Sequence, residues 1–258
     1  MQLPLSADIA ARLWWLDESP STNDDLLGRV RASGDDPLPS LSVVATDTQT
    51  AGRGRLGRVW TTPPRSALAA SVLLRPRSPL DTWGWLPLIA GVAMTRAVTA
   101  AGARAELKWP NDVLIDGLKV SGILAELLPD ASGVVVGSGV NLTLDERELP
   151  VPTATSLLIQ GADTAIDPLL AAYLTELSAL LGSFDAAGGD AERGGVHAAV
   201  RVACGTLGRS VRVILPSGEE LVGEAADIDE TGRLLVTNAT TAQRLAVAAG
   251  DVTHLRYK

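Results

Sequence analysis

The sequence predicts an α+β fold: a mixed or antiparallel sheet flanked by helices, followed by a smaller C-terminal β-barrel. Three observations lead there. Four strand-like segments, Glu106–Trp109, Val113–Ile115, Val120–Leu128 and Val134–Leu142, follow one another with only Asn111-Asp112, Asp116-Gly117 and Pro129-Asp130 as turns. No helices separate them, as parallel βαβ crossovers would demand. Apolar residues recur at helical spacing from Trp83 to Ala101, ending at Gly102, and from Asp167 to Phe184, ending at Gly188-Gly189; these two helices are long enough to cover a sheet. From about Leu207 the pattern changes to short strands with a turn every eight to twelve residues, the pattern of a small barrel.

The remaining elements fall into place around these. Ser21-Thr22-Asn23-Asp24 reads as a helix start, with capping side chains ahead of Leu26, Leu27 and Val30. Residues 33–40 form a Gly/Pro/Asp loop, Leu41–Thr46 a strand, and Leu68–Leu74 a second strand closed by Pro76. The helix from Asp167 is expected to be capped by Asp167 itself, with Pro168 in its first turn, and a shorter helix is expected over 195–203. The C-terminal strands are 211–215, 220–225, 233–236 and 244–247, separated by Pro216-Ser217-Gly218, by Asp229 to Gly232 and by a polar Thr/Asn stretch. A boundary near 204–207 divides the chain into a larger domain, 1–204, and a smaller one, 205–258.

Composition narrows the function. A chain of 258 residues, 46% hydrophobic, holds one large core and a small second domain. Its net charge of −8 and lack of a basic face argue against nucleic-acid binding, which needs a track of cations along phosphates. Cys204 is the only cysteine, so the chain forms no internal disulfide and suits a reducing compartment. The N-terminus lacks the charged-then-apolar order of a signal peptide, and no run of about 18 apolar residues reads as a bilayer span. The expectation is a cytoplasmic enzyme with no membrane partner, monomeric or weakly dimeric.

Gly52-Arg53-Gly54-Arg55-Leu56-Gly57-Arg58, followed by Val59-Trp60, sets three glycines and three arginines in seven residues of an acidic chain. Glycine permits close backbone approach to a ligand, and guanidinium groups offer bidentate donors to carboxylate or phosphate. A mobile cationic clamp over a small anion is the functional reading; a solvated surface loop is the bland one. Gly52, Gly54 and Gly57 also match a dinucleotide-binding turn, but such a turn must open a helix, and Pro63-Pro64 forbids one. No Gly-Lys-Ser/Thr ending is present to make a phosphate-binding P-loop either.

Lys108-Trp109-Pro110-Asn111-Asp112, then Lys119-Val120-Ser121-Gly122-Ile123-Leu124, places two of only three lysines with a carboxylate and a carboxamide at strand ends. A hairpin with charged ends is the plain alternative. Lys119, however, opens an apolar strand, where a cation is costly without an anion, and a bound carboxylate or phosphate would supply one. Ser21, Thr22 and Asn23 add hydroxyls and an amide beyond what a helix cap requires. Gly137-Ser138-Gly139-Val140-Asn141-Leu142 is a glycine-bearing strand, explained equally by a β-bulge or by close approach of a ligand.

In this order, these segments resemble the biotin protein ligases. The resemblance runs from Ser19 to about His254 and rests most on the arginine-glycine loop and on Lys-Trp-Pro-Asn-Asp; Val120-Ser121, Leu56 and Val59 are its small departures. It implies a catalytic core like that of class II aminoacyl-tRNA synthetases and a Src-homology-3-like C-terminal barrel. It also implies a two-step activity, formation of biotinyl-5′-adenylate from biotin and ATP, then transfer of biotin to a lysine of a biotin carboxyl carrier protein or carboxylase domain. Biotin and ATP with Mg²⁺ are substrates, with no tightly bound cofactor and no dedicated metal site. Only 18 residues precede Ser19, so the chain resembles the monofunctional type without an N-terminal helix-turn-helix, not a DNA-binding repressor.

The resemblance assigns catalytic roles to Lys119, Arg55 and Asp112, the last to orient the incoming amine or the metal. It assigns biotin binding to Ser21, Thr22, Asn23, Gln49, Arg53, Gly54, Arg55, Lys119 and Gly122. Adenylate binding falls to Arg53, Arg55, Arg58, Trp60, Lys108, Asn111, Lys119 and Asn141. Trp60 and Trp109 are apolar walls or plain core. The competitors are a lipoate or octanoate transferase, which would want an active-site cysteine where Cys204 reads as packing, and a sensing protein that binds without catalysis, which the retained lysines and arginines disfavour. His197 and His254 lie outside every motif and are given no chemistry.

Overall fold

The computed structural model describes residues 1–215, 217–248 and 250–255; Pro216, expected in a turn, and Lys258 lie outside them. Along the chain the elements are α1 (Pro4–Ala7), β1 (Arg12–Trp15), α2 (Thr22–Ala32), β2 (Ser42–Thr46), β3 (Gly52–Arg53), β4 (Val59–Trp60), β5 (Ala67–Leu74), α3 (Leu86–Ala100), β6 (Ala105–Lys108), β7 (Asp112–Ile115), β8 (Leu118–Leu127), β9 (Val134–Asn141), α4 (Ile166–Ala186), α5 (Val196–Ala203) and strands β10 (Ser210–Ile214), β11 (Glu220–Ile228), β12 (Leu234–Asn238), β13 (Arg244–Val247) and β14 (Asp251–His254). Short 3₁₀ turns cover Arg55–Gly57 and Leu80–Trp85.

Seven strands form one sheet in the order β1-β2-β5-β9-β8-β7-β6. Only β1 and β2 run parallel; every other pairing is antiparallel, so the sheet is mixed, as expected. The interior strand β5, Ala-Leu-Ala-Ala-Ser-Val-Leu-Leu, is buried throughout because both faces are covered. Val43, Val72, Leu74 and Val136 pack into the main core with α3 and α4. Val44, Leu73 and Val135, one residue out of phase, pack with Leu26 of α2 on the other face. The α4 helix has 21 residues and is long and apolar enough to cross a bilayer by composition alone, unlike the sequence expectation; half of its most apolar window is buried within the fold, including Tyr173, Leu174, Leu177 and Phe184.

Three expectations change. The Trp83–Ala101 helix divides into the 3₁₀ turn Leu80–Trp85 and α3, with Pro87 in the first turn of α3. Asp167 does not cap its own helix: Ala165 holds that position and contributes no side-chain bond. The Asp167 carboxylate instead accepts from the backbone amides of Leu5 (3.0 Å) and Ser6 (2.9 Å) and from the Ser6 hydroxyl (2.7 Å), capping α1. The C-terminal region carries a fifth strand, β14, and the five form an antiparallel sheet in the order β13-β12-β11-β10-β14, with a register shift in β11 between Ala225 and Asp227.

The turn after β11 joins the two sheets. Trp85 Nε1 donates to Glu230 O (2.8 Å) and Trp109 Nε1 to Gly232 O (3.2 Å), so two buried indoles from the seven-stranded half find their partners in one turn of the other. Gly84 lies so close beneath that a Cβ there would sit 2.7 Å from Thr231 O. Asp229 shapes this turn, accepting from the amides of Thr231 and Arg233 and from Arg233 Nε at 2.6 Å. Burial raises its carboxyl pKa, but these donors outweigh burial and leave it below the usual carboxylate value. A lowered folded pKa means that the stabilisation is complete above the unfolded carboxyl value, about 3.9, and is lost as pH falls through the folded value. Asp229→Ala should therefore lower the unfolding temperature at pH 7 by roughly 3 °C or more, the effect of about 1 kcal/mol in a chain of this size. The gap from the unaltered chain should narrow as pH falls below the unfolded carboxyl value, and a gap that did not narrow with acid would contradict the assignment.

Candidate active site

Side-chain size along one face of the sheet creates the site. On the α2 face, β9 presents Val135, then Gly137, Gly139 and Asn141; β5 presents Leu73, then Ser71 and Ala69; β8 presents Glu126, Leu124 and Gly122. Packing on α2 therefore stops where the residues become small. A cavity of about 900 Å³ opens there, bounded also by the β3–β4 hairpin, the Pro150–Ala154 segment and residues 250–255 of the C-terminal sheet. The glycines let other side chains approach the sheet closely. A Cβ on Gly139 would lie 2.5 Å from Trp60 Cε2, one on Gly122 would lie 2.9 Å from Lys119 Nζ, and one on Gly137 would collide with Asn23 Oδ1.

One end of the cavity is a neutral polar network. Ser21 caps α2, its hydroxyl accepting from the Asp24 amide at 3.4 Å. Gln49 Oε1 accepts from Thr22 N (3.0 Å) and Thr22 Oγ1 (3.2 Å). Ser71 Oγ lies 2.7 Å from Thr22 Oγ1 and 2.6 Å from Asn23 Oδ1. Gln49 is thus brought to the consecutive Ser21, Thr22 and Asn23 from 27 residues beyond Thr22, and all four line the cavity.

The middle is cationic. Lys119 Nζ contacts Asp112 Oδ1 at 2.6 Å and lies 5.8 Å from the Trp60 ring centre. The anion expected from a ligand is already present: Asp112, across the β7–β8 pair, compensates the half-buried ammonium. Arg55 donates to Asn111 Oδ1 at 2.9 Å, and Asn111 Nδ2 donates back to Ile123 O at 2.8 Å. Burial holds the Arg55 guanidinium below its ordinary pKa, with Asp112 opposing and Arg58 adding to the shift. It stays charged at neutral pH because arginine starts near the top of the scale.

The hairpin β3–β4 spreads its arginines instead of clustering them. Arg53 pairs with Asp24 (2.6 Å) and Glu126 (3.1 Å) at the neutral end, Arg55 reaches the middle, and Arg58 pairs with Asp251 of β14. Gly54 N closes the hairpin onto Arg58 O at 2.7 Å, so no helix follows the glycines. Leu56 takes a left-handed conformation at the tip, φ 57°, and is 67% exposed.

Of the other expected residues, Lys108 and Gly54 line the cavity. Asn141 lies at its wall, 3% exposed, donating to Thr155 O at 2.8 Å. Trp60 forms a wall, its Nε1 buried without a hydrogen-bond partner among the described residues. Trp109 is 1% exposed, and its amide and indole are bound to Thr206 and Gly232, so it is core at the junction of the sheets. Cys204 is buried away from the cavity, its thiol pushed up by burial, and is no nucleophile. His197 is structural, held by Ile228 O and Glu192 against Trp85. Local pattern did not mark Ser71, Glu126, Arg209 or His254, which the packing of the two sheets brings to the site, and it marked Asp24 only as part of a helix start. His254 lines the cavity, with Nε2 3.0 Å from Thr206 Oγ1. Burial first, then Arg209 and Lys108, drive its pKa down to about 4, so it is neutral at pH 7.

Comparison with known proteins agrees with this geometry. Residues 19–141 match the profile of the biotin/lipoate A/B protein ligase family, and residues 206–255 match that of the biotin protein ligase C-terminal domain. A biotin–[acetyl-CoA-carboxylase] ligase of Mycobacterium tuberculosis is 40% identical over 245 residues, covering 93% of this chain and 87% of that one. The chain belongs to the biotin protein ligases. A second family member with the same name, from Paracoccus denitrificans, is 43% identical over 140 residues, 51% of this chain and 58% of that one. Among solved structures of the family, biotin protein ligase from Aquifex aeolicus in complex with biotin and ATP superposes with a TM-score of 0.74 at 28% identity, over 96% of this chain and all of that one. This is the family implied by the motifs.

The cavity wall gives a direct test. Gly139→Ala forces Trp60 to move, an overpacking penalty of about 1–3 kcal/mol. Biotin binding by titration calorimetry should weaken at least ~5-fold; unchanged affinity would mean that the seat of Trp60 does not define the ligand space.

Proposed function

We propose that this ligase activates biotin with ATP in the cavity described above and then transfers it to a lysine of a biotin carboxyl carrier domain, with residues 1–204 as catalytic domain and 205–258 as a smaller domain closing one side. In the first step a biotin carboxylate oxygen attacks the α-phosphorus of ATP, forming biotinyl-5′-adenylate as pyrophosphate leaves. In the second, the uncharged ε-amine of the acceptor lysine attacks the acyl carbon. The acyl–oxygen bond breaks, AMP leaves, and the amine proton passes to solvent or to a nearby base.

The observation that carries this reading is the order of groups along one cavity. Ser21, Thr22, Asn23 and Gln49 form a neutral hydrogen-bonding end matched to a cyclic urea, and Arg53 with Gly54 lies over it. Lys119 and Arg55 follow where the carboxylate and the α-phosphate must meet, with Gly122 making room. Arg58, Trp60, Lys108, Asn111 and Asn141 border the space left for the nucleotide. Two anions approach each other in the first step, and preorganised cations stabilise the charge that develops. Mg²⁺ enters with the triphosphate as part of the substrate and supplies further neutralisation. Asp112, which holds Lys119 at 2.6 Å, orients that cation and later the acceptor amine. Closure of the β3–β4 hairpin keeps water from the mixed anhydride.

The net charge of −8 supports a ligase acting without operator DNA, and the single buried cysteine supports a reducing, cytoplasmic setting. A monomer or weak dimer is the oligomeric state we propose.

The deciding experiment is ATP–pyrophosphate exchange that depends on biotin, followed by labelling of a purified carrier domain; a chain that only senses biotin would show neither. Lys119→Ala should slow adenylation by about 10²-fold or more, and unchanged turnover would remove Lys119 from the mechanism. Arg55→Gly should release biotinyl-adenylate, read as biotin on unrelated lysines. A variant as selective as the parent would refute the closing role of the hairpin.

A further inference from the structure

We propose that Glu126 is a positioning residue that fixes the direction of the Asn23 carboxamide and ties it to Arg53 of the hairpin, so that recognition of the ring end of the substrate and closure over it are coupled. The inference rests on the reading of the cavity as a biotin site. Glu126 lies outside the motifs that carry the resemblance, two residues beyond Leu124 on the cavity face of β8.

The donors and acceptors around the Asn23 carboxamide decide which way it points. Asn23 Nδ2 donates to Glu126 Oε2 at 2.6 Å and, more weakly, to Leu124 O at 3.4 Å, so both amide hydrogens are directed away from the ligand. Asn23 Oδ1 accepts from Ser71 at 2.6 Å and keeps one lone pair for the cavity. A carboxylate can only accept, so Glu126 forbids the flipped amide, which would set oxygen against oxygen. Asn23 is thereby an acceptor toward the ligand, the complement of a ring N–H in a cyclic urea. Without Glu126 the amide is free to turn and offer donors to the same ring.

The same Oε2 accepts from Arg53 NH2 at 3.1 Å. Arg53 is 46% exposed, and an ion pair so open to water adds little stability; its effect is placement. Asp24 Oδ1 accepts from the same guanidinium nitrogen at 2.6 Å. One carboxylate therefore connects a fixed side chain of the ring pocket to the first arginine of the hairpin. Gly137 keeps this arrangement in register, because a side chain there would strike Asn23.

Steady-state exchange kinetics on the intact chain with biotin varied at saturating ATP test the proposal. The unaltered chain is assayed first: no biotin-dependent exchange would overturn the biotin reading itself, independently of Glu126. Given exchange, Glu126→Ala should raise the biotin KM by about tenfold or more, the loss expected for a charge-assisted hydrogen bond, with kcat within about threefold and the KM for ATP unmoved. Glu126→Gln, isosteric and folding as the parent does, should fall between, since its carbonyl oxygen still accepts from Asn23 but has no charge for Arg53. Combined with Arg53→Ala, Glu126→Ala should give a KM rise smaller than the product of the single effects. Unchanged biotin KM in both Glu126 variants would overturn the proposal. So would equal loss of kcat and of both KM values with a lower unfolding temperature, which would make Glu126 scaffold.

Discussion

Lys119 and Asp112, on neighbouring antiparallel strands, meet side chain to side chain at 2.6 Å in the wall of the cavity. Much of the site is arranged around that contact. A lysine ammonium that is two-thirds removed from water needs an anion near it, and the fold supplies one from the neighbouring strand. The cation is thus in place before a substrate arrives. A reacting carboxylate and phosphate enter a pocket whose charge is already positioned, which costs little reorganisation at the moment of reaction. Gly122 gives the ammonium its room, because a Cβ there would lie 2.9 Å from Lys119 Nζ and make it shift.

The cavity itself results from what the sheet omits. Large residues on the α2 face, Leu73 and Val135, close one end of the sheet against Leu26, and small ones, Ser71, Ala69, Gly137 and Gly139, leave the other end open. A cavity built from backbone pairing is stiff, and it places the hairpin arginines at three separate stations along its length. The second sheet is held against the first by Trp85 and Trp109 in the Asp229–Arg233 turn, and it contributes Asp251 and His254 to the wall.

Much of this was legible in the sequence. Uninterrupted strand signals from residue 106 to 142 implied a non-parallel sheet, and the Gly52–Arg58 and Lys108–Asp112 motifs marked residues that do line one cavity. Local pattern could not show what strand register decides. Glu126 meets Asn23, and Ser71 meets Thr22, over separations of 103 and 49 residues. Strand β14 was missed because Asp-Val-Thr-His carries too short an alternation to read, and its side chains reach the site only through pairing with β10. Asp167 misled for a related reason: next to Pro168 it has the composition of a helix cap, but tertiary contact with α1 claimed its carboxylate. The anion for Lys119 was sought in a ligand because nothing local tells that Asp112 sits across the strand pair.

A structure of the chain with biotin and a non-hydrolysable ATP analogue bound together is the most direct measurement. The biotin carboxylate and the α-phosphate should lie side by side, with Lys119 Nζ and the Arg55 guanidinium within hydrogen-bonding distance of one or both and the ring against Asn23. The two anions bound elsewhere, with Lys119 still engaged only by Asp112, would contradict it.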